Sequence, residues 1–151
     1  MLRTRLNDAL KAAMKAKDEL SVSTLRLILA ALKDRDIAAR GKGNKDGIPD
    51  SDLLGLLQSM IKQRRESIAA YEKGGRMDLA RQEASEIAVI EGFLPAQMSE
   101  DEMADAIDAA IAAVGATSLK DMGKAMAALK QQYAGKMDFG KASALVKARL
   151  S

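Results

Sequence analysis

Apolar residues recur along this chain at intervals of three and four, the period of a helix that buries one face, and rarely at the interval of two that marks a half-buried strand. Leu2, Leu6, Leu10 and Ala13 form the first stripe and predict a helix from about Arg3 to Lys15. A second stripe, Val22, Leu25, Leu29, Leu32 and Ile37, begins after Asp18 or Ser21 and ends near Arg40, where Gly41 can take the left-handed conformation that closes a helix. Ser23 and Thr24 fall inside that helix. Residues Gly41 to Pro49 gather three of the eleven glycines and one of the two prolines, and read as a loop.

Asp50 then suits the N-cap of a third helix, with Leu53, Leu57, Met60 or Ile61, Ile68 and Tyr71 on one face and Gly74-Gly75 as its stop. The remaining position of that seam is Arg64. A fourth helix runs from about Met77 to Gly92 with Leu79, Ile87, Ile90 and Leu94 on one side and Glu83 close to the same stripe. An arginine in one seam and a glutamate in the other predict a partly buried ion pair: Glu83 and Glu86 facing Arg64 and Arg65 across a helical hairpin, a neutral cluster rather than a poised acid.

Phe93-Leu94-Pro95 ends the fourth helix, because the residue before proline avoids the helical region. Ser99 and Glu102 fit a capping box, which opens a fifth helix carrying Met103, Ile107, Ile111 and Val114 and closed by Gly115. Ser118 caps a sixth, with Met122, Met126, Leu129 and Tyr133, closed by Gly135. Asp138 caps a seventh, with Ala142, Leu145, Val146 and Leu150. The expectation is an all-α protein: a four-helix bundle-like unit over 1–96 and a three-helix unit over 97–151.

Composition changes this picture mainly by exclusion. With 48% of residues hydrophobic the chain can build a core, while the absence of cysteine and histidine removes disulfides, thiolate nucleophiles, imidazole bases and the usual zinc or iron ligands. The longest apolar run, Leu27 to Leu32, is far short of a membrane span, and charge interrupts the first residues too early for a signal peptide. A cytoplasmic protein with no membrane contact is expected.

No catalytic constellation stands out. The glycines at 41–47 lack the spacing of a phosphate-binding loop, and there is no Gly-x-Ser-x-Gly elbow. Ser23 and Thr24 lie within a helix rather than in the Gly-Ser-rich loop of a serine-lysine amidase. Asp46, Asp50 and Asp52 lack the alternating oxygen ligands and the closing glutamate of a calcium loop, so neither metal nor cofactor is assigned.

Charge offers more. Glu100, Asp101, Glu102, Asp105 and Asp108 stand together without a base, whereas residues 120–151 hold seven bases against two acids. One reading is a solvated surface with acids placed to suit a helix dipole; the other is anion recognition. In the second, Lys120, Lys124, Lys136 and Lys141 flank the N-termini of the last two helices and Lys147 follows, although Asp138 would itself occupy one of those N-termini. With two phenylalanines, two tyrosines and no tryptophan, an RNA ligand would be held by backbone and shape rather than by base stacking.

The run Ile61-Lys-Gln-Arg-Arg-Glu-Ser-Ile-Ala-Ala-Tyr71, with Gly75-Arg-Met-Asp-Leu-Ala80, Glu83, Glu86-Ile87, Phe93-Leu-Pro-Ala-Gln97 and the earlier Leu25-Arg-Leu-Ile-Leu-Ala-Ala-Leu-Lys33, resembles the YqeY family. Asp121-Met-Gly-Lys-Ala-Met126, Gly135-Lys-Met-Asp-Phe-Gly-Lys141, Val146-Lys147 and Leu150 resemble the segment this family shares with the tail of the GatB subunit of tRNA-dependent amidotransferase. The resemblance covers nearly the whole chain and implies a helical bundle joined to a three-helix, GatB-tail-like unit. It also implies an accessory module that binds tRNA or a tRNA-handling protein, such as an aminoacyl-tRNA synthetase or an amidotransferase subunit. The chain departs from the family pattern at Ala127, where glycine is frequent, and at Lys136, where arginine is common; lysine keeps the charge but lacks the planar fork.

Two other readings accompany that one. Met122, Met126 and Met137 could line an adaptable groove in a protein-interaction adaptor without RNA contact. The family is also often labelled a carbon-nitrogen ligase with glutamine as amido donor, an activity for which these residues supply no catalytic group.

Overall fold

The computed structural model describes residues Met1–Ser151 and contains only helices, joined by turns. Seven of them are α-helices: α1 (Leu2–Ala16), α2 (Glu19–Gly41), α3 (Asp50–Lys73), α4 (Met77–Glu91), α5 (Glu100–Val114), α6 (Met122–Gln132) and α7 (Phe139–Leu150). A three-residue 3-10 turn, Leu119–Asp121, precedes α6. The chain divides into two compact units, Met1–Leu94 and Pro95–Ser151, a boundary two residues before the expected one.

In the first unit α1 to α4 enclose Leu6, Leu25, Ile28, Leu53, Leu57 and Ile90, all fully buried. The apolar stripe of α2 does not end on Ile37, which is 56% exposed. Continuing the stripe by four residues from Leu32 reaches Asp36, and the inward position is filled by that carboxylate. Arg3 on α1 meets it through Nη1 and Nη2, which donate to the two carboxylate oxygens at 2.6 and 2.7 Å. The same pair pins the loop before α3: Arg3 Nη2 donates to the Ile48 carbonyl at 2.8 Å, and the Ile48 N–H donates to Asp36 at 2.9 Å. Gly47 adopts a φ of 86° against this pair, where a Cβ would stand 2.7 Å from Arg3 Nη2.

Two expected helix ends of this unit differ. Gly41 continues α2, and the left-handed residue is Gly43, because Lys42 caps the helix in an ordinary conformation. Asp50 is the first residue of α3 behind an N-cap at Pro49, so its carboxylate is free to accept the N–H of Leu2 at 3.3 Å and serves the start of α1 instead. Asp18, by contrast, caps α2 as expected and accepts the N–H of Ser21.

The second unit packs α5, α6 and α7 around Met103, Ile107, Ala125, Leu129, Met137, Ala142 and Val146. Ser99 and Glu102 form the full capping box at the start of α5. Ser118 does not cap α6: the 3-10 turn intervenes, and its hydroxyl is buried with no hydrogen-bond partner. The Asp121 carboxylate turns back and accepts the N–H of Thr117 at 3.0 Å. Leu145 was expected in the stripe of α7, yet it is exposed while Ala142, Val146 and Leu150 face the core. Met137 is 1% exposed and belongs to the core, so it cannot line a surface groove.

Candidate functional site

Two kinds of charged group emerge from this fold, those turned inward to partners and those left free in water. The inward set includes the α3–α4 cluster. Arg64 Nε lies 3.0 Å from Glu86 and 3.9 Å from Glu83, with the three side chains 12%, 15% and 22% exposed. Its Nη1 also donates to the Met60 carbonyl at 3.2 Å, one turn back on α3. Arg65 is not part of the cluster. One residue further round the helix, it points to solvent and reaches Glu91 at 3.5 Å.

One arginine thus serves two carboxylates. Burial raises the Glu83 pKa above the ordinary glutamate range, repulsion from Glu86 adds to that, and Arg64 opposes it. Asp36 shows the reverse: the hydrogen bonds from Arg3 hold its pKa down to about 2, against a smaller penalty from burial. Neither arrangement offers a nucleophile with an adjacent base, and no group of three acidic side chains is placed to hold a metal ion.

The free set contains the five lysines singled out by sequence. Lys120 sits in the 3-10 turn, Lys124 on α6, Lys136 in the turn after α6, and Lys141 and Lys147 on α7; all are exposed and none forms an ion pair. Lys120 and Lys124 are four residues apart, whereas Lys141 and Lys147 are six apart and therefore point about 120° from each other around α7. Both helix N-termini beside them already hold carboxylates. Asp138 accepts the N–H groups of Gly140 and Lys141, and Asp121 lies immediately before α6. An anion would be gripped here by lysine side chains and not by bare helix ends.

Charge balance separates the two units. Residues 95–151 hold seven bases and seven acids and are neutral overall, so the whole formal charge of +3 resides in residues 1–94. Arg149 on α7 is already committed to Asp108 on α5. The basic run after residue 120 is conspicuous in the sequence, whereas the cations of α1 and α2, where nine bases face five acids over residues 2–41, are not. The signal was present as a surplus spread along two long helices rather than a run.

Comparison with known proteins adds ancestry. The model of the family described as Yqey-like protein matches residues 3–150. Similar chains include the protein named "Altered inheritance of mitochondria protein 41, mitochondrial" from three fungi. The Kluyveromyces lactis protein is 33% identical over 137 residues, which cover 89% of this chain and 68% of that one. The Lachancea thermotolerans protein is 38% identical over 89 residues, 59% of this chain and 46% of that one. The Eremothecium gossypii protein is 35% identical over 106 residues, 69% and 56% respectively. The chain thus spans about half to two thirds of the length of the curated relatives it matches.

These names overturn the expectation of a cytoplasmic protein, since all three relatives are called mitochondrial. The physical reason is that compartment is written in targeting segments, and a chain without cysteine suits any reducing compartment equally. No helix here is long and apolar enough to cross a membrane.

Proposed function

The chain belongs to the family of Yqey-like proteins, and on that premise we propose that it is a non-catalytic accessory module that binds RNA, with tRNA as its ligand. The observation that carries this reading is the division of charge: inward groups are paired, while Lys120, Lys124, Lys136, Lys141 and Lys147 stand exposed and unpaired. Such cations release counterions when they meet phosphate, and that release supplies most of the affinity of sequence-independent nucleic-acid binding. The scarcity of aromatic side chains favours recognition of backbone and shape over stacked bases.

A titration of the full chain with tRNA at two salt concentrations tests the proposal. Binding at low salt that weakens steeply at the higher one is the expected result; no binding at low salt ends the RNA reading. The non-catalytic part has its own check. The isolated protein should release no ammonia from glutamine, and steady release abolished by one substitution would refute it.

A further inference from the structure

The cation surplus of the first unit has a definite place. Arg26, Lys33 and Arg40 on α2 are spaced by seven residues, so they lie within about 40° of one another and roughly 10.5 Å apart along one face of the helix. Lys11 and Lys15 on α1 are four apart and also share a face. All five are exposed, and none forms an ion pair or a hydrogen bond through its side chain.

The Arg3–Asp36 bridge fixes how these two faces meet. It joins the start of α1 to the end of α2, so the helices run antiparallel with this pair at their seam. Turning outward from Arg3 on α1 leads to Lys11 and Lys15; turning outward from Asp36 on α2 leads to Arg40, Lys33 and Arg26. The five cations therefore border one seam on the outer side of the hairpin. The acids of these two helices and of the loop pinned to the pair are Asp8, Asp18, Glu19, Asp34 and Asp46, and Asp36 is already neutralised by Arg3. The other helical pair of this unit carries the opposite surplus, eight acids against six bases over residues 50–94.

We infer that the outer face of the α1–α2 hairpin, through Lys11, Lys15, Arg26, Lys33 and Arg40, is a second docking surface for the phosphate backbone of double-helical RNA. This rests on the RNA-binding proposal and locates a contact outside the lysines of the second unit. Two of the five are arginines, whose planar fork grips phosphate oxygens in pairs, a capacity the second unit's lysines lack. Neither helix contains an aromatic residue, so the surface reads phosphates and not bases. A membrane is the less suitable occupant: the exposed apolar side chains nearby, Met14, Leu27 and Ile37, are isolated and form no continuous face to insert.

The test uses the full chain, two fluorescent RNA hairpins with unrelated stem sequences, and vesicles of phosphatidylserine and phosphatidylcholine. The variant R26Q/K33Q/R40Q should weaken both hairpins alike and lower the slope of log affinity against log salt by about 2 to 3, at roughly 0.7 to 0.9 per phosphate contact. K11Q/K15Q, on the other helix, should lower it by about 1 to 2, and R26K/R40K should keep the wild-type slope. Helical circular dichroism unchanged from wild type shows that the fold is intact. Wild-type slopes in both glutamine variants overturn the inference, as does cation-dependent binding to vesicles in place of RNA. If those variants bind normally while K120Q/K124Q/K136Q/K141Q/K147Q does not, the hairpin surface is refuted and the RNA-binding proposal stands. A wild-type protein that binds neither RNA hairpin nor tRNA at low salt refutes both.

Discussion

The two units reach similar helical architectures by different means. In Met1–Leu94, ion pairs lock helices that lie far apart in sequence: Arg3 with Asp36, and Arg64 with Glu83 and Glu86. In Pro95–Ser151 the one long-range ion pair, Arg149 with Asp108, lies at the surface, and the other long-range ties are neutral. Met98 N–H donates to the Lys136 carbonyl at 2.8 Å, the Gln97 amide donates to the Gly135 carbonyl at 2.7 Å, and four alanines line the core. The lesson is that charge in the first unit does two jobs, holding the fold inside and leaving a basic surface outside. In the second unit charge is mostly a surface property.

The sharpest way to break that contrast is Arg64→Ala. It leaves Glu83 and Glu86 half-buried without a cation, and the loss should be about 3 kcal/mol in chemical denaturation. Arg65→Ala, removing only an exposed pair, should stay within about 0.5 kcal/mol, and equal losses would deny the cluster its special role. Next in size is Gly47→Ala, which forces an alanine into a left-handed conformation and against Arg3; a destabilisation of about 2 kcal/mol is expected. The companion Gly41→Ala, where no atom lies near and φ is ordinary, should be neutral or slightly stabilising.

The pH dependence of stability sharpens the comparison further. Asp36 has a lowered pKa in the fold, so its contribution is present above the ordinary aspartate range and fades as pH falls toward about 2. Acid titration of Asp36→Asn should lack that portion of the decline. Glu83 has the opposite sign: its raised pKa means that the folded state loses stability as pH rises through it. Glu83→Gln should therefore be more stable than wild type at neutral pH, and a loss of stability there would show that Arg64 needs both carboxylates. A more modest gain belongs to Thr24→Val. The Thr24 hydroxyl is fully buried without a partner, and replacing it by a methyl should gain about 1 kcal/mol.

Helix periodicity made most of the fold legible, because stripes such as Leu2–Leu6–Ala13 and Leu53–Leu57–Ile61 can be buried in only one way. Caps were legible where a side chain directly precedes the first helical turn and reaches its free N–H groups, as at Asp18, Ser99 and Asp138. They failed at Asp50 and Ser118, where a proline or a 3-10 turn moved the helix start by one or more residues. Arg64 was recognisable as an intruder in an apolar seam, but Asp36 was not, since Ile37 beside it drew the stripe one position too far. The candidate site was legible only in part. Lys120 to Lys147 stand in a segment with few acids, whereas the cations of α1 and α2 become a surface only once the Arg3–Asp36 pair sets two helices side by side.

Lysine acetylation of the full chain, read by mass spectrometry with and without saturating tRNA, tests most directly the claim that unpaired cations hold RNA. Protection is expected at Lys11, Lys15 and Lys33 and among Lys120, Lys124, Lys136, Lys141 and Lys147, while Lys62 and Lys73 on α3 stay reactive. Protection centred on Lys62 and Lys73, or none anywhere under conditions where tRNA is bound, would contradict it.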